Sequence, residues 1–424
     1  MSYQQYSSYK DSGIEWIGEI PEHWEVRRLK NITRFVYGES LKNEDRLEGE
    51  VPVFGSNGIV GYHDKSTTMS PMIVIGRKGS FGKVAFSEIP GFPIDTTYYI
   101  DSRYTDMNIR WIYFALIVLK LDKISQDTGV PGLNRETAYE ELTPLPPLPE
   151  QQTIAAFLDR ETARIDTLIH KKERLIALLK EKRQALITRA VTKGLDPNVE
   201  MKDSGVEWIG EIPAHWDEIG LKHAAKVQFS NVDKHSKDNE IPVRLCNYTD
   251  VYYNDLISEE MEFMVATATK DEIRKFTISE GDVLITKDSE SWDDIAVPSY
   301  VITNFDNVLC GYHLAHIKPK TSILIGKFLS SAFNAQGISD QFKVAATGVT
   351  RFGIGKQAIG NAFFPLPPIK EQQAIANFID KETLRIDTII EKIGVQITKL
   401  QELRQALISN AVTGKIDVRE EVAV

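Results

Sequence analysis

The sequence predicts an α+β fold in which two α/β or β-rich domains are joined by two long antiparallel coiled-coil helices, arranged as a pseudo-two-fold circular repeat. Two observations carry this prediction. The block "KDSGIEWIGEIPEHW" at 10–24 returns with two substitutions at 202–216. The block "PLPPLPEQQTIAAFLDRETARIDTLI" at 144–169 returns as "PLPPIKEQQAIANFIDKETLRIDTII" at 365–390. Repeats at such spacing indicate a structural unit that is used twice.

The spacing of the copies separates the constant parts of the chain from the variable ones. The first block is displaced by 192 residues and the second by 221, so the segment 217–364 is 29 residues longer than 25–143. A third match, "RQALI" at 183–187 and 404–408, follows the second displacement. Duplication therefore predicts a pseudo-dimer within one chain, in which the last block lies beside the first.

Apolar residues after each proline run follow the steps of three and four that are typical of a coiled-coil seam. They are Ile154, Leu158, Ile165, Leu168, Leu175, Leu179 and Leu186 in the first copy, and Ile375, Ile379, Ile386, Ile389, Ile393, Ile397, Leu400 and Leu407 in the second. Pro147 and Pro368 precede the seams, and Gly194 and Gly414 follow them. Each helix is predicted to span about 42 residues, or roughly 60 Å. An alternative is that each helix packs only on the core of its own half. This alternative explains the apolar stripe along the helix but not the unusual length of the helix.

Composition and charge narrow the class of protein. The chain has 424 residues, of which 42% are hydrophobic and 26% charged, as in folded proteins of two or more domains. The two cysteines form no disulfide framework or zinc motif, and the apolar stretch 111–119 is too short to cross a bilayer. We therefore expect a cytoplasmic protein with no membrane partner. The net charge of −10 disfavours nonspecific nucleic-acid binding but is compatible with a local basic face.

The two variable inserts have the composition of β-rich domains. Runs such as "PMIVIGRKGSFGKVAFSE" and "EGDVLITKDSESWDDIAV" combine branched and aromatic residues with glycine and turn residues. We place the first domain at 1–149 and the first helical spacer at 150–194. A linker and the second domain take 195–370, the second helical spacer takes 371–415, and a tail takes 416–424.

The doubled blocks "WIGEIPxHW", "PLPPxxEQQxIAxF" and "RQALI", in this order, resemble the specificity subunits of Type I restriction-modification enzymes over essentially the whole chain. The resemblance implies two target-recognition domains, each reading one half of an asymmetric bipartite site in double-stranded DNA. It also implies that the helices set the spacing and dock two methyltransferase (modification) subunits, with restriction/translocase subunits in the full complex. The partner-binding scaffold is assigned to Ile154, Leu158, Ile165, Leu168, Ile375, Ile379, Ile386 and Ile389.

The repeat pattern supports the same interpretation from the residues alone. Two nearly identical frames predict that the same partner binds twice, whereas two dissimilar inserts predict two different targets. The candidates for DNA contact in the first insert are Tyr62, Arg77, Lys78, Ser80, Asn134 and Arg135, and those in the second are Lys287, Ser289, Trp292, Arg351 and Lys356. Glycines in "GRKGSFG" are expected to let backbone amides approach phosphates or base edges. Each of these residues, taken singly, is also compatible with a solvated hairpin tip.

Catalytic motifs are not found, so we predict a noncatalytic subunit that has no cofactor and no metal. "GVTRFGIGKQ" resembles a phosphate-binding P-loop, but Lys356 is followed by Gln357 rather than by Ser or Thr. The "NPPY"-type tetrad of an adenine methyltransferase is absent from the sequence. His23 and His215 are each flanked by Trp and are predicted to be packed structural residues.

The repeated tryptophans have a structural interpretation. Trp16, Trp24, Trp208 and Trp216 are predicted to pack against the helices and to anchor the start of each half. Two alternatives for the function remain open. In the first, the same subunit serves a modification-only complex, and only the neighbouring genes distinguish that complex from a restriction system. In the second, the chain is a coiled-coil protein-binding adaptor. An adaptor explains the helices but not two unlike inserts in one repeated frame.

Overall fold

The computed structural model describes residues 3–124 and 132–421. The chain divides into two compact units. Unit 1 contains residues 1–172 and 394–424, and unit 2 contains residues 173–393. Among the described residues, no helix combines the length and the apolar character that crossing a membrane requires.

Unit 1 is built from short strands, two short helices and parts of two long helices. Its strands are β1 (Tyr9–Asp11), β2 (Glu19–Pro21), β3 (Glu25–Arg28), β4 (Val36–Tyr37), β5 (Val51–Gly55), β6 (Gly58–His63), β7 (Met72–Gly76), β8 (Val84–Ser87), β9 (Phe92–Pro93), β10 (Thr97–Asp101) and β11 (Leu142–Leu145). Its helices are α1 (Ile109–Leu119), α2 (Arg135–Tyr139) and the first part of α3 (Leu148–Lys193).

The main sheet of unit 1 has the order β4-β10-β7-β8 and is antiparallel throughout. A second sheet has the order β6-β5-β9, and the pairs β1-β2 and β3-β11 frame the insert. Helix α1 begins at the Asn108 side chain, which accepts a hydrogen bond from the amide of Trp111 at 2.9 Å, and its apolar face covers the main sheet. The indole of Trp111 is completely buried in the core that results.

Unit 2 repeats this frame around a larger insert. Its strands are β12 (Met201–Asp203), β13 (Glu211–Pro213), β14 (Asp217–Gly220), β15 (Ala225–Phe229), β16 (Ile241–Cys246), β17 (Leu256–Ile257), β18 (Met264–Ala268), β19 (Val283–Thr286), β20 (Asp288–Ser289), β21 (Pro298–Val301), β22 (Val308–Cys310), β23 (Leu314–Pro319), β24 (Thr347–Gly348), β25 (Phe352–Gly353) and β26 (Phe363–Leu366). Its helices are α4 (Leu221–Ala224), α5 (Tyr248–Tyr252), α6 (Lys270–Phe276), α7 (Gly326–Phe333), α8 (Gln336–Ala345), α9 (Lys356–Asn361) and the first part of α10 (Ile369–Val412). The last part of α3 also belongs to unit 2, and the last part of α10 belongs to unit 1.

The sheets of unit 2 show which parts are repeated. The pairs β12-β13 and β14-β26 reproduce β1-β2 and β3-β11 of unit 1. The main sheet has the order β15-β23-β19-β21-β17, in which the first four strands repeat the antiparallel order β4-β10-β7-β8 and β17 is added. The sheet β18-β16-β22 repeats the mixed order of β6-β5-β9, whereas the sheet β20-β25-β24 has no three-stranded counterpart among the described residues of unit 1. The prediction of two β-rich inserts in one repeated frame is therefore confirmed.

The long helices run antiparallel within each unit, as predicted. In unit 1, Arg404 Nε lies 2.9 Å from Asp166 Oδ1, and further along α3 the Lys172 ammonium donates to Gln396 at 2.5 Å. In unit 2, the repeat counterpart of the first pair joins Arg183 Nε to Asp387 Oδ1 at 3.2 Å. The same ion pair therefore fixes the register of the helices in both units.

The predicted seam is correct for most positions but not for all. Ile154, Leu158 and Ile165 are buried in the core of unit 1, and Ile375 and Ile379 are buried in the core of unit 2. The helices thus pack on their own inserts as well as on each other, because a helix with 3.6 residues per turn turns successive apolar residues toward both neighbours.

Three residues assigned to the seam face outward instead, namely Leu168, Leu175 and Ile389. Leu168 is 40% exposed and its repeat counterpart Ile389 is 38% exposed, whereas the next residue along each helix, Ile169 and Ile390, is more deeply buried. A strict heptad drifts relative to a straight helix, which explains the shift of one position. Both units consequently present an apolar side chain at the same surface position.

Buried glutamines connect each long helix to its insert. The Gln151 side chain accepts from the Asn108 amide at 2.9 Å and donates to the Pro146 carbonyl at 2.8 Å. Gln372 makes the equivalent bonds in unit 2, to the Ile325 amide and the Pro367 carbonyl, both at 2.8 Å. Because buried backbone groups need partners, these side chains hold the helix start against the insert.

Candidate nucleic-acid interface

The repeated phrase "WIGEIPxHW" anchors each unit through its second tryptophan. In unit 1, the buried indole of Trp24 donates to Glu150 Oε2 at 3.0 Å, and His23 Nε2 lies 2.6 Å from Glu150 Oε1. Glu150 belongs to the first turn of α3, where a carboxylate also meets the positive end of the helix dipole. The "WIGEIPxHW" motif therefore fixes the beginning of unit 1 to the first turn of α3.

Unit 2 contains the same anchor. Trp216 Nε1 donates to Glu371 Oε2 at 2.9 Å, and His215 Nε2 lies 2.8 Å from Glu371 Oε1. A side chain at Gly194, just after α3, would approach the Trp216 ring to 3.1 Å. The indole is thus enclosed between the start of one long helix and the end of the other.

The sequence predicts that both tryptophans of each "WIGEIPxHW" motif pack against the helices. This prediction is wrong for the first tryptophan of each motif. Trp16 is 51% exposed and Trp208 is 43% exposed, whereas Trp24 and Trp216 are fully buried. The histidines are also at the surface, and they bond to the anchor carboxylates rather than packing inside. The sequence of the motif does not distinguish a buried tryptophan from an exposed one, because burial depends on contacts with segments that are distant in the chain.

A cluster of one tyrosine and two arginines forms the candidate contact face of unit 1. The Arg77 and Arg135 guanidinium groups lie 5.3 and 5.1 Å from the centre of the Tyr37 ring, which is itself half-exposed. Arg77 also donates through Nε and Nη2 to the Asp95 carbonyl, at 3.0 and 2.7 Å. Ring stacking and a fixed carbonyl hold Arg77 in one orientation, which prepares it for a planar ligand.

The glycine-rich loop that carries Arg77 is closed by its own hydrogen bonds. The Gly76 amide donates to the Lys83 carbonyl and the Gly82 amide to the Gly76 carbonyl, both at 2.8 Å. Gly82 has φ +73°, and a Cβ there would collide with Asp122. These two glycines are required by a tight turn and their amides are already paired, so the expectation of amides free to approach a ligand is wrong for Gly76 and Gly82.

The remaining candidates of unit 1 lie in different settings. Tyr62 is exposed on β6, Lys78 is exposed in the glycine-rich loop, and Ser80 of the same loop is partly exposed. Asn134 caps α2, because its side-chain oxygen accepts from the amides of Glu136 and Thr137 at 2.8 and 3.4 Å. Residues 125–131, which precede Asn134 in the chain, lie outside the described residues.

In unit 2, Arg351 is held by a carboxylate and an imidazole. Asp288 Oδ2 lies 2.8 Å from His313 Nδ1, and Asp288 Oδ1 accepts from Arg351 Nη2 at 2.5 Å. Arg351 remains more than half exposed despite this pairing. One edge of its guanidinium is thus fixed by the protein, and other donors are directed toward solvent.

The other candidates of that loop differ in accessibility. Lys287 is packed against aromatic rings, with Nζ 4.3 Å from the Tyr312 centre and 5.1 Å from the Phe229 centre, and burial lowers its pKa. Ser289 is buried, and its hydroxyl accepts from the Ser291 amide at 3.3 Å. Trp292 is exposed at the tip. Ser289 therefore supports the loop, whereas Trp292 presents a free aromatic surface.

An open cavity of about 860 Å³ lies beside Arg351. Tyrosines and acidic side chains line it, including Tyr248, Tyr252, Tyr253, Glu290 and Asp294. A hydrogen bond to Asp294 raises the pKa of Tyr252 to about 12, so its hydroxyl stays protonated at neutral pH. Carboxylates repel phosphate but accept hydrogen bonds from base amino groups, so this face suits base edges rather than a nucleic-acid backbone.

Lys356 lies away from Arg351, in a cluster of lysines. With Lys222 and Lys226 it lines an open cavity of about 510 Å³, and we call these three residues the lysine cluster. Lys222 donates to the amide oxygen of Asn361 at 2.9 Å. At the repeat-equivalent position of unit 1, Lys30 instead pairs with the carboxylate of Glu140 at 2.7 Å. Within the part of the chain that the structure describes, Lys222 thus has a neutral partner, whereas Lys30 shares the Glu140 carboxylate with Arg28.

The profile of the family described as "Type I restriction modification DNA specificity domain" matches residues 21–177 and 227–399, one match in each repeat. The chain belongs to this family. The identification made from the doubled sequence blocks is thereby confirmed.

Relatives in the type I specificity family match over most of their length. The specificity subunit of the type I restriction enzyme MjaVIII from Methanocaldococcus jannaschii is 22% identical over 417 residues, covering 94% of each chain. That of EcoBI from Escherichia coli is 24% identical over 365 residues, covering 81% of this chain and 73% of its own. A solved chain from work on complex assembly and conformational transition of the type I R-M system has a TM-score of 0.67 at 14% identity, covering 93% of this chain and 98% of that one. The structural match supports the fold.

Several residues of the two candidate contact faces were not identified from the sequence. Tyr37 organises the arginines of unit 1, and Asp288, His313 and the tyrosines of α5 surround Arg351. The run "NYTDVYYND" contains three tyrosines, but nothing in the sequence linked it to Arg351, about a hundred positions away.

Among the described residues, no three His, Cys, Asp or Glu side chains converge as metal ligands.

Proposed function

We propose that this chain is the DNA sequence-recognition subunit of a type I restriction-modification complex. Each insert reads one half of an asymmetric bipartite site in double-stranded DNA. The recognition domains are placed at 1–149 and 195–370, and the helical spacers at 150–194 and 371–415. The subunit itself is noncatalytic, uses no cofactor and acts in the cytoplasm.

One observation carries the proposal, namely a constant frame that holds two different faces. The indole–carboxylate anchor and the Asp–Arg helix pair are reproduced in both units. The faces differ, because Tyr37 organises one and the Asp288–His313–Arg351 group organises the other. A shared frame suits one partner bound twice, whereas different faces suit two different half-sites.

The long helices are proposed to set the distance between half-sites. Helices α3 and α10 contain 46 and 44 residues and each contributes to both units. At about 1.5 Å per residue they extend for roughly 65–70 Å, the length of about two turns of B-DNA. Long helices of nearly equal length in the two copies suit a spacer of fixed length.

Two methyltransferase subunits are proposed to dock on the repeated frame, with restriction/translocase subunits in the full complex. The support is the repeated exposure of Leu168 and Ile389 at the same helical position in each unit. An exposed apolar residue alone is ordinary, but its repetition at equivalent positions fits a repeated contact. The buried scaffold residues, such as Ile154 and Ile375, then act by supporting this surface from within.

The proposal is tested by mapping adenine methylation at base resolution in cells that carry this chain with its cognate methyltransferase, compared with cells that lack the chain. A new split motif is expected, with two short defined sequences around a fixed unspecified gap. If the complex assembles and no such motif appears, the DNA-recognition proposal fails and the adaptor alternative is favoured.

Replacement of Lys226 by alanine is expected to weaken DNA binding equally for all sequences. Among the described residues, the lysine cluster has no carboxylate partner, and it faces an open cavity, which suits phosphate contact. Removing one phosphate contact lowers the slope of log K against log salt by about 1. Fluorescence anisotropy at several salt concentrations measures that slope for the assembled complex.

The matched control is Lys392→Ala, which removes one exposed lysine of α10 and leaves the lysine cluster intact. Its slope should equal that of the unmodified complex. A Lys226→Ala slope that also stays unchanged would exclude the lysine cluster from the phosphate contacts, whatever the methylation motif turns out to be.

A further inference from the structure

Two repeat-equivalent phenylalanines have different surroundings. Phe157 and Phe378 occupy the same position in the "EQQxIAxF" blocks of α3 and α10. Phe157 is completely buried in unit 1, whereas Phe378 is 37% exposed in unit 2. Because the surrounding frame is repeated, the difference has to come from the segments that cover the ring.

In unit 1, two segments supply that cover. The Tyr3 ring meets Phe157 edge-on, with ring centres 5.5 Å apart. From the far end of the chain, Val418 is completely buried in the same core, and the Glu421 carbonyl accepts from Arg160 at 2.6 Å. Residues 3–8 and 413–421 therefore close this part of the surface together.

In unit 2, a single connection takes the place of both segments. Residues 194–200 lead from the end of α3 to β12. Leu195, the counterpart of Ile416, is 44% exposed, whereas Ile416 packs against the core of unit 1. A cavity of about 350 Å³ remains, lined by Leu186, Ala190, Leu195 and Phe378. We call it the Phe378 cavity.

The rim of the Phe378 cavity is basic. Lys182 and Arg189 line it, and neither forms an ion pair within the part of the chain that the structure describes. Their counterparts in unit 1 are Leu403 and Asn410, which carry no charge. The cavity thus combines an apolar floor with two unpaired cations, a pattern that selects an apolar group with acidic neighbours.

We propose that the Phe378 cavity binds an extended segment of the methyltransferase subunit, which inserts one aromatic side chain flanked by Asp or Glu. This inference rests on the proposed function, because that function supplies the partner. The aromatic ring takes the role that Tyr3 has beside Phe157, and the carboxylates pair with Lys182 and Arg189. Buried aromatic rings are the usual anchors of protein interfaces, since they bury a large area at low entropic cost.

A second copy of this chain is a poorer occupant. Its own segment 3–8 already covers Phe157, and "YQQYSS" contains no carboxylate to pair with the basic rim. If the proposal is correct, the two methyltransferase subunits are not equivalent, because only the one on unit 2 gains this contact.

The test uses the full chain with its cognate methyltransferase subunit in titrations followed by native mass spectrometry. The variant Arg189→Glu reverses the charge of the rim, and Ala185→Trp fills the cavity from an exposed position. Each is expected to weaken binding of one of the two methyltransferase subunits at least tenfold. Asn410→Glu is the matched control at the equivalent position of unit 1, and it should bind both subunits normally.

Photocrosslinking identifies the occupant independently of affinity. With p-benzoylphenylalanine in place of Ala185, the crosslinked peptide is expected to come from the methyltransferase subunit and to contain an aromatic residue beside Asp or Glu. A crosslink to a second copy of this chain would overturn the proposal. So would unchanged affinities in both variants while two methyltransferase subunits are bound, and that result would leave the proposed function intact. If the unmodified chain binds no methyltransferase subunit, both the docking proposal and this inference fail.

Discussion

Replacement of Trp216 by alanine is expected to lower the free energy of unfolding by about 3–5 kcal/mol. The indole is fully buried between the start of α10 and the end of α3, and its N–H donates to Glu371 at 2.9 Å. The substitution therefore leaves a cavity and also removes a partly buried hydrogen bond. Urea unfolding followed by circular dichroism measures the loss as a lower midpoint.

The chain contains its own control for this prediction. Trp208→Ala removes the same side chain from the same repeated phrase, but at a position that is 43% exposed, so the expected change is within about 0.5 kcal/mol. Trp24→Ala and Trp16→Ala should repeat the contrast in unit 1. Equal destabilisation by Trp216→Ala and Trp208→Ala would show that the anchor has been assigned to the wrong tryptophan.

Replacement of Arg351 by alanine is expected to reduce methylation of the target site by about tenfold to a hundredfold and to relax sequence preference in one half-site only. Arg351 is exposed and oriented by Asp288, so its free donors can form the paired contacts that arginine makes with guanine. Base-resolution methylation mapping reads both effects in one experiment. Arg77→Ala should relax the other half-site, because Arg77 belongs to unit 1.

Arg274→Ala is the matched control for Arg351→Ala. Arg274 is also an exposed arginine of unit 2 and also pairs with an aspartate, Asp271, at 2.6 Å, but it lies on α6 away from the cavity beside Arg351. Its loss should leave the motif unchanged. Relaxation of both half-sites by Arg351→Ala would contradict the assignment of one half-site to each unit.

Much of the frame was predictable because its signals are local. Proline before each long helix and glycine after it mark the helix ends, and α3 and α10 begin directly after Pro147 and Pro368. The position of the seam was less predictable. Leu168 and Ile389 satisfy a heptad in the sequence, yet each lies one position away from the buried stripe, because helical packing against two neighbours follows the true turn of the helix.

The candidate site was predictable only in outline. Arg77, Arg351 and Lys356 were identified from charge at turns, but their settings depend on residues far along the chain. Tyr37 stacks on Arg77 and Arg135 from positions about forty and a hundred residues away, and Asp288 orients Arg351 across a short sheet. Such contacts leave no periodic trace in a sequence.

The sequence by itself determined the duplicated architecture, the two long helices and the family, because repeats, heptads and helix end signals are written in consecutive residues. Only the tertiary structure decided which of the two tryptophans in each motif copy is buried and which lysines have a carboxylate partner among the described residues. It also decided why Phe378 is exposed while Phe157 is buried. The physical reason is the same in each case. Burial and charge pairing are set by distant segments, so two identical stretches acquire different properties when different parts of the chain cover them.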